Sequence, residues 1–399
     1  MTSELMQWCT RVAGWSLVAV TAPGSIELVM LTLGGLLPAR RSRESSRPLP
    51  RTAIMIPAHN EESGIVRTVG NLLKEIGRDA QIEVIVIADN CEDRTADQAA
   101  AAGARTLIRD DTSQRGKGYA LHYAFSKLLA EAFDAFIIID ADTQVAPGTI
   151  NAIRRRLAGG ADAVQCRYVV ANPEATMRTR LMHIALLAFN VMRPRGRDRF
   201  GLSCGILGNG FALSRKTIEA VPYEAGSVVE DLEYHLRLVQ AGKRVEFADE
   251  AAVLGDMPEG GHGAKTQRAR WDGGRFRMVS QWTVPLALEV LRGRLRLLEP
   301  LLELLLLPLA FHLSLLLLTL AVPEPSIRWA ALLQIAVAVV HVVVSPLRCG
   351  GGVKSLIALA AVPFYVIWKI ALLGTMFRAA RRNAAWVRTA RAGANGEKH

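Results

Sequence analysis

Long apolar segments at both ends of the chain constrain its fold most. Residues 12–37 are apolar almost throughout, with Glu27 the only ionisable residue among them. A membrane crossing needs roughly 20 such residues, so this stretch supplies one span and is too short for two. A cleaved leader fits poorly, because the apolar run is too long, only Arg11 provides positive charge before it, and no small-residue cleavage site follows. Arg40, Arg41, Arg43 and Arg47 come next, which places the chain from Ser42 onward on the cytoplasmic side. Towards the other end, Leu288, Leu291, Leu295 and Leu298 recur at helical spacing with Arg292, Arg294 and Arg296 between them. That pattern predicts an interfacial helix over 285–300 whose arginines snorkel to phosphates. Apolar runs at 301–322, 329–347 and 356–377 follow, then a basic tail over 378–399.

These runs and the charge distribution divide the chain into a membrane anchor with basic linker (1–50), a catalytic domain (51–284), the interfacial helix, the C-terminal membrane segments (301–377) and the tail. The formal net charge is +11, yet residues 51–289 are neutral, so the whole surplus lies in the flanks. A nucleic-acid binder would carry its basic patch on the folded domain, so no nucleic-acid partner is expected. Half of the residues are hydrophobic, which excludes a disordered chain. The five cysteines, Cys9, Cys91, Cys166, Cys204 and Cys349, form no CxxC pair and read as free thiols in a reducing compartment. Topology brings two rules into conflict. Three complete C-terminal spans would export a tail that is rich in arginine. The run 356–377 holds Pro363 and Lys369, so it is expected to be re-entrant or interfacial, leaving the tail to grip anionic lipid.

Between the flanks, strands and helices alternate. Short β-rich runs at 52–56, 83–88, 105–108 and 135–139 are separated by helical patterns at 65–76, 95–102 and 119–132. The alternation predicts an α/β fold with a mainly parallel sheet covered by helices on both faces. In such sheets ligands bind beyond the carboxyl ends of the strands. The segments there are Pro57-Ala58-His59-Asn60-Glu61, Asp89-Asn90-Cys91-Glu92-Asp93 and Asp140-Ala141-Asp142. No GxGxxG follows the first strand and no GxxxxGK[ST] occurs, which argues against dinucleotide-binding oxidoreductases and P-loop NTPases. The second segment resembles a calcium loop, but Arg94 and Ala100 stand where glycine and glutamate are required.

Asp140 and Asp142, two apart in an extended segment, can aim both carboxylates one way and hold a hard divalent cation together with substrate phosphates. Ser227 and Glu230 have capping-box spacing, and Asp231 beside them is placed to act as a general base. On a helix, Gln267, Arg270 and Trp271 share a face, where arginine can neutralise a diphosphate and tryptophan can support a sugar ring. Glycines 255, 260, 261 and 263 precede them, as in a loop that closes over a ligand.

PAHNE, ADNCED, RGKG, DAD, VVED and QRARW, in that order between hydrophobic flanks, resemble the membrane-bound inverting family 2 glycosyltransferases. That group includes cellulose, chitin and hyaluronan synthase-like enzymes and ceramide glucosyltransferases. The resemblance implies a GT-A fold with one N-terminal and two to three C-terminal transmembrane helices. It also implies a nucleotide-sugar donor, usually a UDP-sugar, and Mg²⁺ or Mn²⁺ as cofactor. By motif, Asp89 would contact the uracil, with Pro57, Glu61 and Lys117 near the nucleotide. Asp140 and Asp142 would hold metal and diphosphate, Asp231 would be the general base, and Glu230, Gln267, Arg270 and Trp271 would meet acceptor and diphosphate. The chain departs from the usual motifs at Asn90-Cys91 and at Val229.

Extension of an extracellular polysaccharide is the first expectation, with possible export or accessory subunits. Transfer of one sugar to a membrane lipid is the alternative, and a non-catalytic nucleotide-sugar-binding subunit is a third. The expected location is a bacterial plasma membrane, with the catalytic domain cytoplasmic.

Overall fold

The computed structural model describes residues 3–40, 42, 45–224, 226–227, 229–257 and 261–371, with side chains for all of these except 3, 261–270, 365 and 368–371. The runs predicted to be strands pair as expected. β1 (Thr52–Ala58) lies between β2 (Ile82–Asp89) and β4 (Ala135–Ile138), parallel to both, and β3 (Arg105–Arg109) adds in parallel beyond β2. Both faces of β1 and β2 are buried, which is why their sequences are apolar without alternation. Helix α2 (Ile65–Ile76) buries Ile65, Thr68, Val69 and Leu72, one stripe at helical spacing. Helices α3 (Thr95–Ala101) and α4 (Lys117–Leu128) complete the first half.

The second half makes the sheet mixed. β5 (Thr143–Val145), α5 (Thr149–Ala158) and β6 (Ala163–Val170) lead into helix α6 (Met177–Leu186). One π-helical stretch, Leu187–Met192, joins α6 to α7 (Arg193–Arg199). β7 (Phe211–Ser214), α8 (Arg215–Ala220), α9 (Glu230–Gln240) and β8 (Val245–Gly255) follow. The eight strands run β3-β2-β1-β4-β7-β6-β8-β5, with β7 antiparallel to both β4 and β6, and β5 antiparallel to β8. Two apolar cores lie on the two faces of this sheet, one including Met55, Phe125, Phe136 and Tyr234, the other Ile54, Ile56, Val69 and Ile153.

The apolar flanks differ in detail from expectation. Helix α1 spans Ser3–Leu36. Helix α10 runs continuously over Gly261–Leu291, through Pro285, so the boundary placed between 284 and 285 falls inside one helix and a separate interfacial helix does not begin there. The expected single span at 301–322 is broken. Helix α11 (Leu298–Leu305), entered through a short 3-10 turn, and α12 (Leu309–Leu320) meet at a 74° bend around Pro308, whose ring cannot continue a helix. Helix α13 (Pro325–Cys349) ends at Gly350 in the left-handed conformation. A 3-10 stretch (Val353–Ala361) and α14 (Val362–Ala371) occupy part of the run expected to be re-entrant; residues 372–399, with the basic tail, lie outside the described residues. Among the described residues, Glu4–Leu36 and Pro325–Cys349 are long and apolar enough to cross a membrane, and the bent pair makes up to three. All five cysteines are free.

Candidate active site

Three parallel strands deliver their carboxyl ends to one edge, and the loops beyond β1 and β2 are tied together. Both loops turn at an asparagine in the left-handed region, Asn60 (φ 53°) and Asn90 (φ 51°). Asparagine tolerates this backbone better than most residues. The Glu92 amide donates to Asn60 Oδ1 at 2.8 Å, and the Glu61 amide donates to Thr95 Oγ1 at 2.7 Å. His59 Nδ1 lies 2.8 Å from the Asp89 carbonyl. Pro57, opposite Ile87 in the register, stands at the same end of the sheet as these tied loops of Glu61 and Asp89.

Asp89 is not free in this arrangement. Arg109, at the end of β3, donates to its Oδ1 at 2.6 Å, and both side chains are buried. Burial raises the Asp89 pKa, while the guanidinium and the Asn90 amide pull it back down. Arg109 also bonds Asp111 at 3.0 Å and the Gln114 carbonyl at 2.9 Å, which fixes the loop leading to Lys117. Nothing in the motifs pointed to Arg109. Its one sequence signal is the cation that closes the short strand Arg-Thr-Leu-Ile-Arg.

The centre of the site is the Lys117 ammonium, at the start of α4. It donates to the Asp140 carboxylate beyond β4 and to the Gly208 carbonyl. Burial alone would lower its pKa, but Asp140, Glu230 and Asp231 outweigh that and hold it above the ordinary lysine value. The Asp140 amide donates to Asn209 Oδ1 at 3.1 Å, and Asn209 Nδ2 donates to Thr143 Oγ1 at 2.7 Å. The Gln165 amide donates to the Asn209 carbonyl at 2.8 Å. The loop Gly208-Asn209-Gly210 thus locks the aspartates in place, and the sequence reading passed over it. Its signal was the Gly-Asn-Gly triplet, whose glycines take positive φ (78° and 67°).

Asp231 packs against the Gly208 Cα, where a Cβ would stand 3.0 Å from its Oδ2. Its Oδ1 accepts from the Leu232 amide at 2.8 Å. The capping box expected between Ser227 and Glu230 does not form, because Val229 caps α9 and the Ser227 amide donates to Glu233 instead, at 3.2 Å. The start of α9 does not keep these acids at their ordinary pKa. Burial, and then Asp231, push Glu230 up to about 7, and burial raises Asp231 as well. Partly buried carboxylates with one ammonium between them outnumber the available positive charge.

Helix α10 covers this region closely. A Cβ at Gly274 would overlap the Val229 side chain, and Val229 packs with Leu236, Met278 and Leu286. The half-buried Trp271 is thereby carried beside the start of α9. The side chains of Gln267 and Arg270 lie outside the described residues, as do residues 258–260 of the expected closing loop. At the start of that loop, Gly255 has a packing role, since a Cβ there would stand 2.9 Å from the Tyr168 ring.

For a metal, Asp140 and Asp142 offer only oxygen donors in a locality short of positive charge, which suits a hard divalent ion sharing its shell with diphosphate and water. No cluster of three or more His, Cys, Asp or Glu able to hold a metal occurs among the described residues.

A family model described as glycosyltransferase like family 2 matches residues 50–274, more than half of the chain. The chain belongs to that family. It is 27% identical over 246 residues to the probable glycosyltransferase YdaM of Bacillus subtilis, covering 59% of this chain and 58% of that protein. It is 26% identical over 256 residues to the beta-monoglucosyldiacylglycerol synthase of Trichormus variabilis, covering 61% and 53%. The chain thus spans little more than half the length of these relatives. Among solved structures it is similar to the mannosyltransferase PcManGT from Pyrobaculum calidifontis in complex with GDP-Man and Mn²⁺, with a TM-score of 0.52 and 17% identity over 91% of this chain and 96% of that one. That likeness concerns the fold, which is GT-A-like: a mixed sheet with a parallel core, flanked by helices.

Proposed function

We propose that this family 2 glycosyltransferase moves a single sugar, with inversion, from a nucleotide-sugar, a UDP-sugar in particular, to a hydroxyl group of a membrane lipid. The observation that carries this is the contact between Asp231 and Gly208, whose carbonyl also receives Lys117, the partner of Asp140. A base and a diphosphate-handling cation thereby meet across one loop. The donor would lie along the edge formed by Pro57, Glu61 and Asp89, with Arg109 setting the orientation of the Asp89 carboxylate. Asp140 and Asp142 would hold Mg²⁺ or Mn²⁺, which supplies positive charge to the diphosphate when bound. Asp231 takes the proton from the acceptor hydroxyl, and that oxygen attacks the anomeric carbon in line as the C–O bond to diphosphate breaks. Its raised pKa makes it a stronger base than an ordinary aspartate. Lys117 stays protonated and faces the charge leaving with the diphosphate. Glu230, Gln267, Arg270 and Trp271 would complete the acceptor side.

A lipid acceptor is favoured over polymer extension on two grounds. A relative is named for glucosylating diacylglycerol. Moreover, α10, which covers the site, continues towards the bent apolar pair, whose helix α11 packs on it through Leu301 and Leu304. The site is thereby joined to segments suited to a membrane, with α1 and α13 as spans, the catalytic domain cytoplasmic and a bacterial plasma membrane as the location. Membranes carrying the protein should be incubated with labelled UDP-sugars and diacylglycerol. A single-sugar lipid in the organic phase, abolished by EDTA and restored by Mg²⁺ or Mn²⁺, is the expected product. Label in insoluble polymer would overturn the lipid assignment, and UDP binding without turnover would leave only a binding module.

A further inference from the structure

Beyond the end of α1, the described linker residues line an open groove of about 780 Å³ against the catalytic domain, bounded among others by Arg40, Ser45, Arg47, Arg155, Asp249 and Glu250. Arg40 and Ser45 are bonded to the domain here. The Arg40 carbonyl accepts from Arg156 at 2.8 Å, Ser45 Oγ donates to the Ala158 carbonyl at 3.0 Å, and Arg40 itself donates to the Asp198 carbonyl at 3.2 Å. Both acids in the wall are already neutralised by arginines from behind. Glu250 takes Arg156 through two bonds of 2.8 Å, and Asp249 pairs with Arg195 at 3.0 Å. Arg40, Arg47 and Arg155 have no carboxylate within ion-pair distance among the described residues, so the groove presents a net positive wall. It also lies close to the apolar segments. Arg40 comes four residues after the end of α1 at Leu36, within roughly 14 Å along the chain. Arg348, at the end of α13, reaches the Leu36 carbonyl at 3.4 Å.

We propose that this groove binds the phosphate-bearing headgroup of an anionic membrane lipid, at a site separate from the sugar-transfer centre. The inference rests on α1 and α13 spanning the membrane. Guanidinium groups recognise phosphate oxygens in a paired, planar geometry that a lysine cannot reproduce. A cationic pocket just past a span stands at the depth of lipid phosphates, where each basic group contributes about fivefold in binding. The site would seat the catalytic domain on the membrane and make its attachment depend on lipid charge.

The test uses the full chain in mixed micelles, with phosphatidylglycerol or phosphatidylcholine titrated in and bound lipid counted by native mass spectrometry. Saturable, preferential binding of phosphatidylglycerol is expected. Replacing Arg40, Arg47 and Arg155 together by Gln should weaken it roughly a hundredfold. Arg155→Gln alone, on an exposed helix face, should cost about fivefold and guards against misfolding of the triple variant. Removing two exposed charges that do not line the groove, Lys127→Gln with Lys216→Gln, should change nothing. Equal binding of the two lipids, or an unaffected triple variant, would overturn the proposal. So would glycerol 3-phosphate binding as tightly as the lipid, which would mark a site for a soluble phosphate. Alkaline carbonate washing of membranes separates the two levels: release of the protein defeats the membrane placement itself, whereas retention without lipid preference defeats only this groove.

Discussion

Asp231 and Glu230 are adjacent in sequence, yet their expected contributions differ. Asp231 touches the loop that holds Lys117, so Asp231→Asn should preserve the fold and donor affinity while lowering turnover by about 10²–10⁴. Single-turnover transfer at the wild-type rate would remove it as the base. Glu230 contributes differently, because burial and Asp231 raise its pKa to about 7. A carboxylate with a raised folded-state pKa stabilises the fold fully below its unfolded value, near 4.5, and loses that contribution as pH rises through about 7. In ligand-free protein, Glu230→Gln should therefore match wild type in thermal stability at pH 4. At pH 8 it should exceed wild type, by on the order of 1 kcal/mol after allowance for partial exposure. An unchanged difference across that range would show that the acid is not strained. The ordering of motifs singles out Asp140, Asp142, Glu230 and Asp231 as candidates, and the fold gathers Asp140, Glu230 and Asp231 around Lys117. The Arg109–Asp89 pair was not legible, because it joins residues on neighbouring strands whose alignment depends on the sheet register. Asn209 was not legible because its side-chain bonds to Asp140 and Thr143 join residues far apart in sequence and need the two positive-φ glycines beside it.

At the scale of elements, the parallel half of the sheet was readable because strands buried on both faces must be apolar, and α2 came out at its predicted limits because its stripe is regular. β7 carries no comparable signature: its antiparallel insertion between β4 and β6 arises from tertiary pairing. Helix packing also hides a charge cluster that composition gave no means of locating. Arg197 of α7 is 2% exposed and pairs with Glu27 of α1 at 2.7 Å, and with Glu299 and Glu303 of α11 at 2.5 and 3.1 Å. Arg275 of α10 donates to the Glu303 and Leu306 carbonyls at the same junction. One buried guanidinium thus links an apolar anchor, the catalytic domain and the bent segment, next to the helix that covers the site. Arg197→Met would take the direct partner from three carboxylates, with Arg193 and Arg275 left to act on them, and should cost about 3–5 kcal/mol, seen as a lower midpoint in thermal unfolding. Adding Glu27→Gln and Glu299→Gln to that variant should recover part of the loss. If the triple variant proves no more stable than Arg197→Met, the charge imbalance is not the cause.

For the whole molecule, the question is whether the N-terminal helix is a tether or part of the folded body. A tether would touch the catalytic domain only through its linker. Instead α1 crosses α7 at backbone contact: a Cβ on Gly196 would overlap the Leu31 carbonyl, and one on Gly35 would stand 2.8 Å from the Met192 carbonyl. Small residues at a crossing allow such approach, which is the usual basis of helix association where lipid removes the hydrophobic driving force. Polar contacts extend the same interface along α1. Ser25 Oγ donates to Gln334 Oε1 at 2.9 Å and lies 3.1 Å from His312 Nε2, while Thr32 Oγ1 lies 2.7 Å from His341 Nδ1. The N-terminal helix is therefore packed from α7 to α12 and α13, and it also meets the π-helical stretch ahead of α7 at Met192. Gly196→Leu tests this. The added side chain has nowhere to go unless α1 moves, so stability should fall by about 1–3 kcal/mol, the usual cost of overpacking. Transfer to a membrane-embedded acceptor should fall with it, while affinity for UDP at the proposed donor site beyond β1 and β2 should hold. A variant with wild-type unfolding temperature and full transfer would show that α1 gives way freely at this crossing and acts as a tether after all.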